Sequence, residues 1–409
     1  MTVLSRRTLI GSAAAVAGSS PFAGARAQTP TIRIGVLNDQ SGPYRDISGP
    51  MSVACARQAV EEFGTSHGFG VEVVVANHQN KPDIATSIAR QWFDTGGVDM
   101  VIDVPTSSVG LAVQSVAKEK NKVYINTGSA TSALTGEQCS PNGLHWVYDT
   151  YMLSKSTGGA MVKTGGDTWF FVTADYAFGK QLQNDTTAMI QAAGGKVLGS
   201  VAYPFPDTTD FSSLLIQAQA SGAKVLGVAN AGADTINSVK QANEFGLNAK
   251  MKIATLLMFI SDVHALGLDV AKGLVLTESF YWDLNDRTRA FTQRVLPKTG
   301  GIHPAMSHAG CYAGALHYLK VVADMGVNEA KKSGAATVGR MKAMPTDDDA
   351  FGAGTIRADG RKLHPVYLFE VKKPSESKAP WDYYKLIATT PADQAFRPLN
   401  EGGCSLVRA

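Results

Sequence analysis

Apolar and polar positions follow two rhythms along this chain, and the rhythms take turns. Short runs of β-branched and aliphatic residues, such as Thr31-Ile32-Arg33-Ile34-Gly35-Val36-Leu37, read as buried strands; each leads through polar turn residues into apolar positions three or four apart, the period of a helix. After Ser41-Gly42-Pro43-Tyr44, residues 51–63 set Val53, Ala56, Val60 and Phe63 on one helical face. A strand over 71–76, a helix over 83–93, a strand over 98–104, a helix over 109–120 and a strand over 123–126 continue the series. This alternation predicts an α/β fold built on parallel sheets.

A second run resembles the first in order and spacing. It has strands over 168–173, 196–201, 224–229, 251–255 and 273–280, with helices over 180–193, 211–220 and 234–245. Gly194-Gly195 stops the first of those helices. Beyond Trp282 the chain returns to helix-forming sequence over 287–295 and 305–325, which has no place in a completed second lobe and is expected to pack on the first. A turn-rich hairpin runs from Gly352 through Asp359-Gly360-Arg361, with strands near 365–371 and 383–388. Three crossings between lobes follow, near 146–149, 281–285 and 351–356. The expected division is lobe 1 over 28–148 and 283–350, and lobe 2 over 149–282 and 351–409 with a C-terminal tail.

The first 27 residues are set apart from the fold. Twin arginines Arg6-Arg7, an apolar run from Leu9 to Ala17 and Ala25-Arg26-Ala27 read as an export signal cleaved near Ala27, the run being far shorter than the roughly 20 residues that span a bilayer. About 380 residues remain, more than the roughly 250 to 300 at which single cores stop growing, so two lobes are expected in a periplasmic protein. The formal charge of +3, from 38 basic and 35 acidic residues, resides in Arg6, Arg7 and Arg26. A balanced mature surface argues against nucleic acid or an anionic membrane as the partner.

Of four cysteines, Cys55 and Cys311 lie in apolar helical stretches and read as buried thiols, whereas Cys139 and Cys404 lie in polar, loop-like stretches of an exported chain and are expected to pair. An enzyme is not indicated. The eight histidines form no paired metal spacing, no GxSxG elbow occurs, and the first strand leads into Ser41-Gly42-Pro43 in place of a GxGxxG dinucleotide loop. No cofactor or metal is implied.

Taken together, Ile34-Gly35-Val36-Leu37 with Ser41-Gly42-Pro43-Tyr44, the loop Asp175-Tyr176-Ala177-Phe178-Gly179, the helix start Asp210-Phe211-Ser212 and Asp359-Gly360-Arg361 resemble the type I periplasmic substrate-binding proteins of ABC importers, in the branched-chain amino acid (Leu/Ile/Val-binding) branch. The resemblance covers almost all of the chain after the signal. It implies two Rossmann-like lobes joined by a three-segment hinge, a monomer that closes on a small carboxylate-bearing ligand, and delivery to permease subunits in the inner membrane. A ligand sensor of the same fold, working through a receptor or regulator, is the alternative.

Ligands of open α/β sheets bind beyond the carboxyl ends of strands, where helix N-termini offer free N–H groups. Two hydroxyl-rich loops occupy such places, Pro105-Thr106-Ser107-Ser108 and Thr127-Gly128-Ser129-Ala130-Thr131. The resemblance implies that Ser107, Ser108, Ser129, Ala130 and Thr131 hold the ligand carboxylate; read as residues alone, the same serines and threonines serve equally as helix caps. Tyr176 and Phe178 share a loop in which one aromatic caps the ligand and the other packs. Amino-acid binders carry an acid after the strand corresponding to 251–255, where this chain has Leu256-Leu257-Met258-Phe259-Ile260-Ser261-Asp262. Asp262 falls about one residue late and reads as a helix-capping acid, and Asp234, close after Asn230, shares the ambiguity between cap and ammonium partner. A cleft with hydroxyls on one wall and Met258, Phe259, Tyr281 and Trp282 on the other suits an aromatic or branched aliphatic carboxylate.

Overall fold

The computed structural model describes residues 29–407, so the expected export signal and cleavage near Ala27 lie outside the described residues. The first sheet is parallel throughout, in the order β2-β1-β3-β4-β5, from β1 (Thr31–Asn38), β2 (Gly70–Asn77), β3 (Met100–Asp103), β4 (Val123–Asn126) and β5 (Gly143–His145). Period-two alternation divides its side chains between two layers. Ile32, Ile34, Val36, Met100, Ile102 and Ile125 face one core, and Leu37, Val101 and Tyr124 face the other, against α2 (Pro82–Asp94) and α3 (Ser107–Glu119). The first core is covered by α1 (Gly49–Phe63) and by a helix that arrives much later in the chain.

From β5 the chain enters α4 (Thr150–Leu153), a single π turn (Ser154–Gly158) and α5 (Gly159–Lys163). The second sheet is also parallel, in the order β7-β6-β8-β9, from β6 (Thr168–Ala174), β7 (Lys196–Tyr203), β8 (Val225–Ala229) and β9 (Lys252–Thr255). Its helices are α6 (Ala177–Ala192), α7 (Ser212–Ala220), α8 (Ala233–Glu244), α9 (Ile260–Leu266) and α10 (Leu268–Ala271). The strand after β9 does not extend this sheet: β10 (Val275–Glu278) pairs antiparallel with β13 (Val366–Val371), which pairs with β14 (Tyr384–Thr390). Three helices, α11 (Asp286–Val295), α12 (Met306–Met325) and α14 (Gly334–Ala343), with the short α13 (Val327–Lys332) between the last two, return to the first sheet; α12 packs along α1 and across β3. Among the described residues no helix is long and apolar enough to cross a membrane.

Two features at the lobe junction differ from expectation. The hairpin β11 (Thr355–Ile356) and β12 (Lys362–Leu363) belongs with the first sheet, because His145 N–H donates to the Gly360 carbonyl at 2.9 Å; the third crossing therefore comes between Leu363 and Val366, not near 351–356. The chain after β14 also leaves the second lobe. Arg397 donates to the Ser132 carbonyl at 3.0 Å, and Cys404 forms a disulfide with Cys139, 265 residues away, so the tail lies on the first lobe. Cys55 and Cys311 are free and buried. Arg361 fills the centre of this junction, fully buried, donating to the Val147 carbonyl at 2.8 Å and the Lys362 carbonyl at 3.0 Å, with Asp149 at 3.4 Å and its guanidinium carbon 4.5 Å from the centroid of the Phe396 ring.

Candidate functional site

The carboxyl ends of the two parallel sheets face each other, and the loops beyond them meet around a narrow cleft with about 10 Å³ of free space. Its walls are Tyr44, Ile47, Pro105, Gly128, Ala130 and Tyr148 from the first lobe, and Tyr176, Phe178, Ala231 and Leu257 from the second. Four of the ten are aromatic and none is ionisable at neutral pH, burial pushing the Tyr44, Tyr148 and Tyr176 phenols above their ordinary range.

A buried carboxylate builds the first wall. Asp39 accepts from the N–H groups of Gly42 at 2.7 Å, Tyr44 at 2.9 Å and Ser41 at 3.2 Å, and from Asn80 Nδ2 at 2.7 Å. Four donors on one acid fold the Ser-Gly-Pro turn and swing the Tyr44 ring over the cleft. Tyr148 is fixed at the floor, its hydroxyl donating to the Gly128 carbonyl at 2.5 Å and its ring edge-on to Phe259. After β3 the backbone takes positive φ at Asp103 (86°) and Val104 (59°), which turns Pro105 into the site. Asp103 is buried, with Ser48 Oγ at 2.7 Å, Asn38 Nδ2 at 2.9 Å and Thr127 Oγ1 at 3.2 Å donating to it. Burial is the main influence on it and raises its pKa, against the lowering effect of those donors.

The helices α3, α6 and α8 begin at this cleft, and none has a side-chain hydrogen bond at its N-cap. The first-turn N–H groups of α3 and α6 and the partial positive charge there are available to an anion, whereas the first N–H of α8, from Ala233, already donates to the Pro43 carbonyl.

Of the sequence candidates, Ala130, Tyr176 and Phe178 line the cleft. The hydroxyl candidates mostly serve the protein itself. Ser129 donates to the Val104 carbonyl at 2.5 Å, Ser107 Oγ accepts from Thr131 N–H at 3.2 Å, and Thr131 Oγ1 accepts from Ala133 N–H at 3.3 Å. Helix α3 starts at Ser107, two residues before the expected boundary, which puts Ser107 and Ser108 in its first turn and not in a loop. Asn230 is held by Ser238 Oγ at 3.0 Å and Thr235 Oγ1 at 2.8 Å. Leu257 takes the wall position expected for Met258 and Phe259, both fully buried behind it.

Tyr281 and Trp282 do not reach the cleft. Both are drawn to the antiparallel sheet, where Tyr281 packs on Phe369 and Tyr384, and the Trp282 indole donates to the Trp381 carbonyl at 2.8 Å. Neither acid candidate lines the cleft. Asp262 caps α9 by accepting Phe259 N–H at 3.0 Å, and Asp234 accepts the Tyr203 hydroxyl at 2.8 Å behind the wall. Burial raises both to about 7. Tyr44, which lines the cleft, is not among the sequence candidates for ligand contact; the Ser-Gly-Pro turn before it is the signal that places it.

The family model for periplasmic binding proteins matches residues 31–378. A solved periplasmic binding protein from Burkholderia mallei is 48% identical with a TM-score of 0.88, covering 93% of this chain and 100% of that one. A branched-chain amino acid ABC transporter periplasmic ligand-binding protein from Burkholderia xenovorans is 39% identical with a TM-score of 0.79, over 92% of this chain and 99% of that one. Among curated relatives, Leu/Ile/Val-binding protein homolog 6 of Brucella melitensis is 26% identical over 373 residues, covering 87% of this chain and 91% of its own length. With two parallel α/β sheets facing each other across a ring-lined cleft, this chain belongs to the periplasmic binding protein family.

Proposed function

We propose that this protein captures a small apolar carboxylate, with one aromatic ring or one short branched chain and no ammonium group, and delivers it to the permease of an ABC importer. The observation that carries the reading is the cleft wall: four aromatic rings and no ionisable acid among its lining residues. An α-ammonium enclosed there without a carboxylate partner is costly, because a desolvated charge must be paired. The uncapped starts of α3 and α6 supply donors for the ligand carboxylate.

The same reading makes the chain a monomeric carrier in the periplasm that binds without turnover, its signal removed near Ala27, its lobes meeting at crossings after β5, after β10 and after β12. Ligand contact is assigned to Tyr44, Ala130, Tyr148, Tyr176, Phe178 and Leu257. Titration calorimetry with benzoate, 3-phenylpropanoate, phenylalanine and leucine tests it, with Asp234→Asn and Asp262→Asn alongside. The acids without an ammonium group are expected to bind near ~1 μM, about 8 kcal/mol, and tighter than the amino acids. Tight leucine binding that is lost in either Asn variant overturns the reading and restores the branched-chain amino acid assignment of the B. xenovorans relative.

A further inference from the structure

One set of contacts joins the lobes at the cleft mouth. Tyr44 reaches from the first lobe so that its hydroxyl lies 2.5 Å from the Tyr176 hydroxyl of the second. The Phe205 ring, just past β7, stacks on both, with centroids 5.0 Å from Tyr44 and 4.6 Å from Tyr176. Beside them the Ala233 N–H donates to the Pro43 carbonyl at 3.1 Å. That approach requires a glycine at position 232: φ is +58°, and a Cβ there would stand 2.5 Å from the Pro43 oxygen and 3.1 Å from the Tyr44 ring.

We propose that Tyr44, Tyr176, Phe205 and Gly232 form a latch that fastens the lobes to each other directly and biases the protein toward closure before any ligand contributes. The inference rests on the reading that the ligand sits between the lobes, and concerns how that site is regulated. These contacts run from protein to protein, so they add to the free energy of the closed arrangement whatever occupies the space behind them. A ligand that binds the closed form then gains apparent affinity in proportion to the closed fraction. Each hydrogen bond of this kind shifts the open-to-closed ratio by roughly two- to tenfold. Because burial keeps both phenols protonated well above neutral pH, the contact persists across the physiological range.

Small-angle scattering without ligand, on wild type, Tyr44→Phe and Gly232→Ala, tests the latch, and needs no knowledge of the ligand. Tyr44→Phe keeps the ring and removes the hydroxyl; Gly232→Ala keeps both hydroxyls and pushes on the Pro43 carbonyl and the Tyr44 ring edge. Both variants, shown folded by circular dichroism, are expected to have a larger ligand-free radius of gyration than wild type. Where benzoate binds, stopped flow is expected to show its release about two- to tenfold faster. Ligand-free scattering identical in all three proteins overturns the latch. Expansion of the variants with no binding of benzoate, phenylpropanoate or leucine by wild type upholds the latch and removes the ligand assignment.

Discussion

Arg361→Met is expected to destabilise the protein by about 3 to 5 kcal/mol, the loss typical of removing one partner from a buried ion pair. Arg361 is fully buried and Asp149 is 2% exposed, so the carboxylate left behind has almost no access to water. Asp149 keeps one acceptor contact, from Met152 N–H at 2.8 Å, which holds it in place without neutralising it. The Val147 carbonyl keeps a His364 Nε2 contact at 2.7 Å, and only the Lys362 carbonyl loses its side-chain donor. Uncompensated charge on Asp149 therefore outweighs the hydrogen bonds lost. Methionine keeps an apolar stem but not the guanidinium that lies over the Phe396 ring, so that cation–π contact is lost as well.

Urea unfolding followed by circular dichroism measures the loss as a lower midpoint at constant slope. In the double variant Arg361→Met/Asp149→Asn the orphaned charge is gone, and about half of the loss is expected to return, a coupling of roughly 2 kcal/mol. A single-variant loss below ~1 kcal/mol, or a double variant whose losses simply add, refutes the claim that this pair joins the first crossing to the hairpin before the third.

Stability is expected to hold roughly level from pH ~4.5 to ~6.5, where buried acids and buried histidines oppose each other, and to fall from there to pH ~8. Burial raises Asp234 and Asp262 to about 7 and Glu278 to about 8, so between the unfolded carboxyl values near ~4 and these folded values the native state holds protons that the unfolded chain has released, and stability falls by up to ~1.4 kcal/mol per unit for each group, the two aspartates as far as pH 7 and Glu278 as far as pH 8. Burial lowers His78 to about 4, His308 to about 3 and His317 to about 4, which has the opposite sign and offsets the acids up to ~6.5, above which the unfolded histidines are neutral too. Urea midpoints from pH 5 to 8.5 check this, and Glu278→Gln should flatten the alkaline limb; a limb unchanged in that variant counts against it. Cys139→Ser, or reduction of wild type, is expected to cost about 2 to 4 kcal/mol through release of the unfolded chain. Calorimetry with and without reductant gives the answer, and equal melting temperatures defeat it.

Periodicity made most of the sheets legible because each long strand carries a clear apolar run. β1, β6 and β8 are dense in valine, isoleucine and aromatic residues, and their boundaries lie within a residue or so of the sequence reading. Gly143–His145 was not, since three residues with no alternation carry no period; its pairing is supplied by β4 and the Gly360 carbonyl. Nor were Thr150–Leu153 and the π turn, where serine, threonine and glycine mask the helical face. The site was legible as a place and less so as a set of side chains. Strand ends located the cleft, but Ser129 and Thr131 are consumed by the backbone around them, and that depends on loop conformation that no spacing encodes. Tyr281 was misplaced because its destination is fixed by Phe369 and Tyr384, about a hundred residues away in sequence.

The position of α12 governs the order in which the protein can be assembled. The first sheet is written by residues 31–145, yet the helix that closes one of its faces comes from residues 306–325, after the whole second sheet has been made. Gly310 and Gly314 let that helix lie so close that a Cβ on either would meet Val147 at 2.3 Å or Ile125 at 3.0 Å, so it has a fitted seat and not a loose cover. Until it emerges, Ile102 and Ile125 lack their partner layer, and the nascent chain holds an open apolar face through the synthesis of some 160 further residues. The first lobe is thus spatially one unit but not one in time. Its completion waits on the second lobe, and a chain interrupted before residue 306 leaves a surface suited to a chaperone or to aggregation.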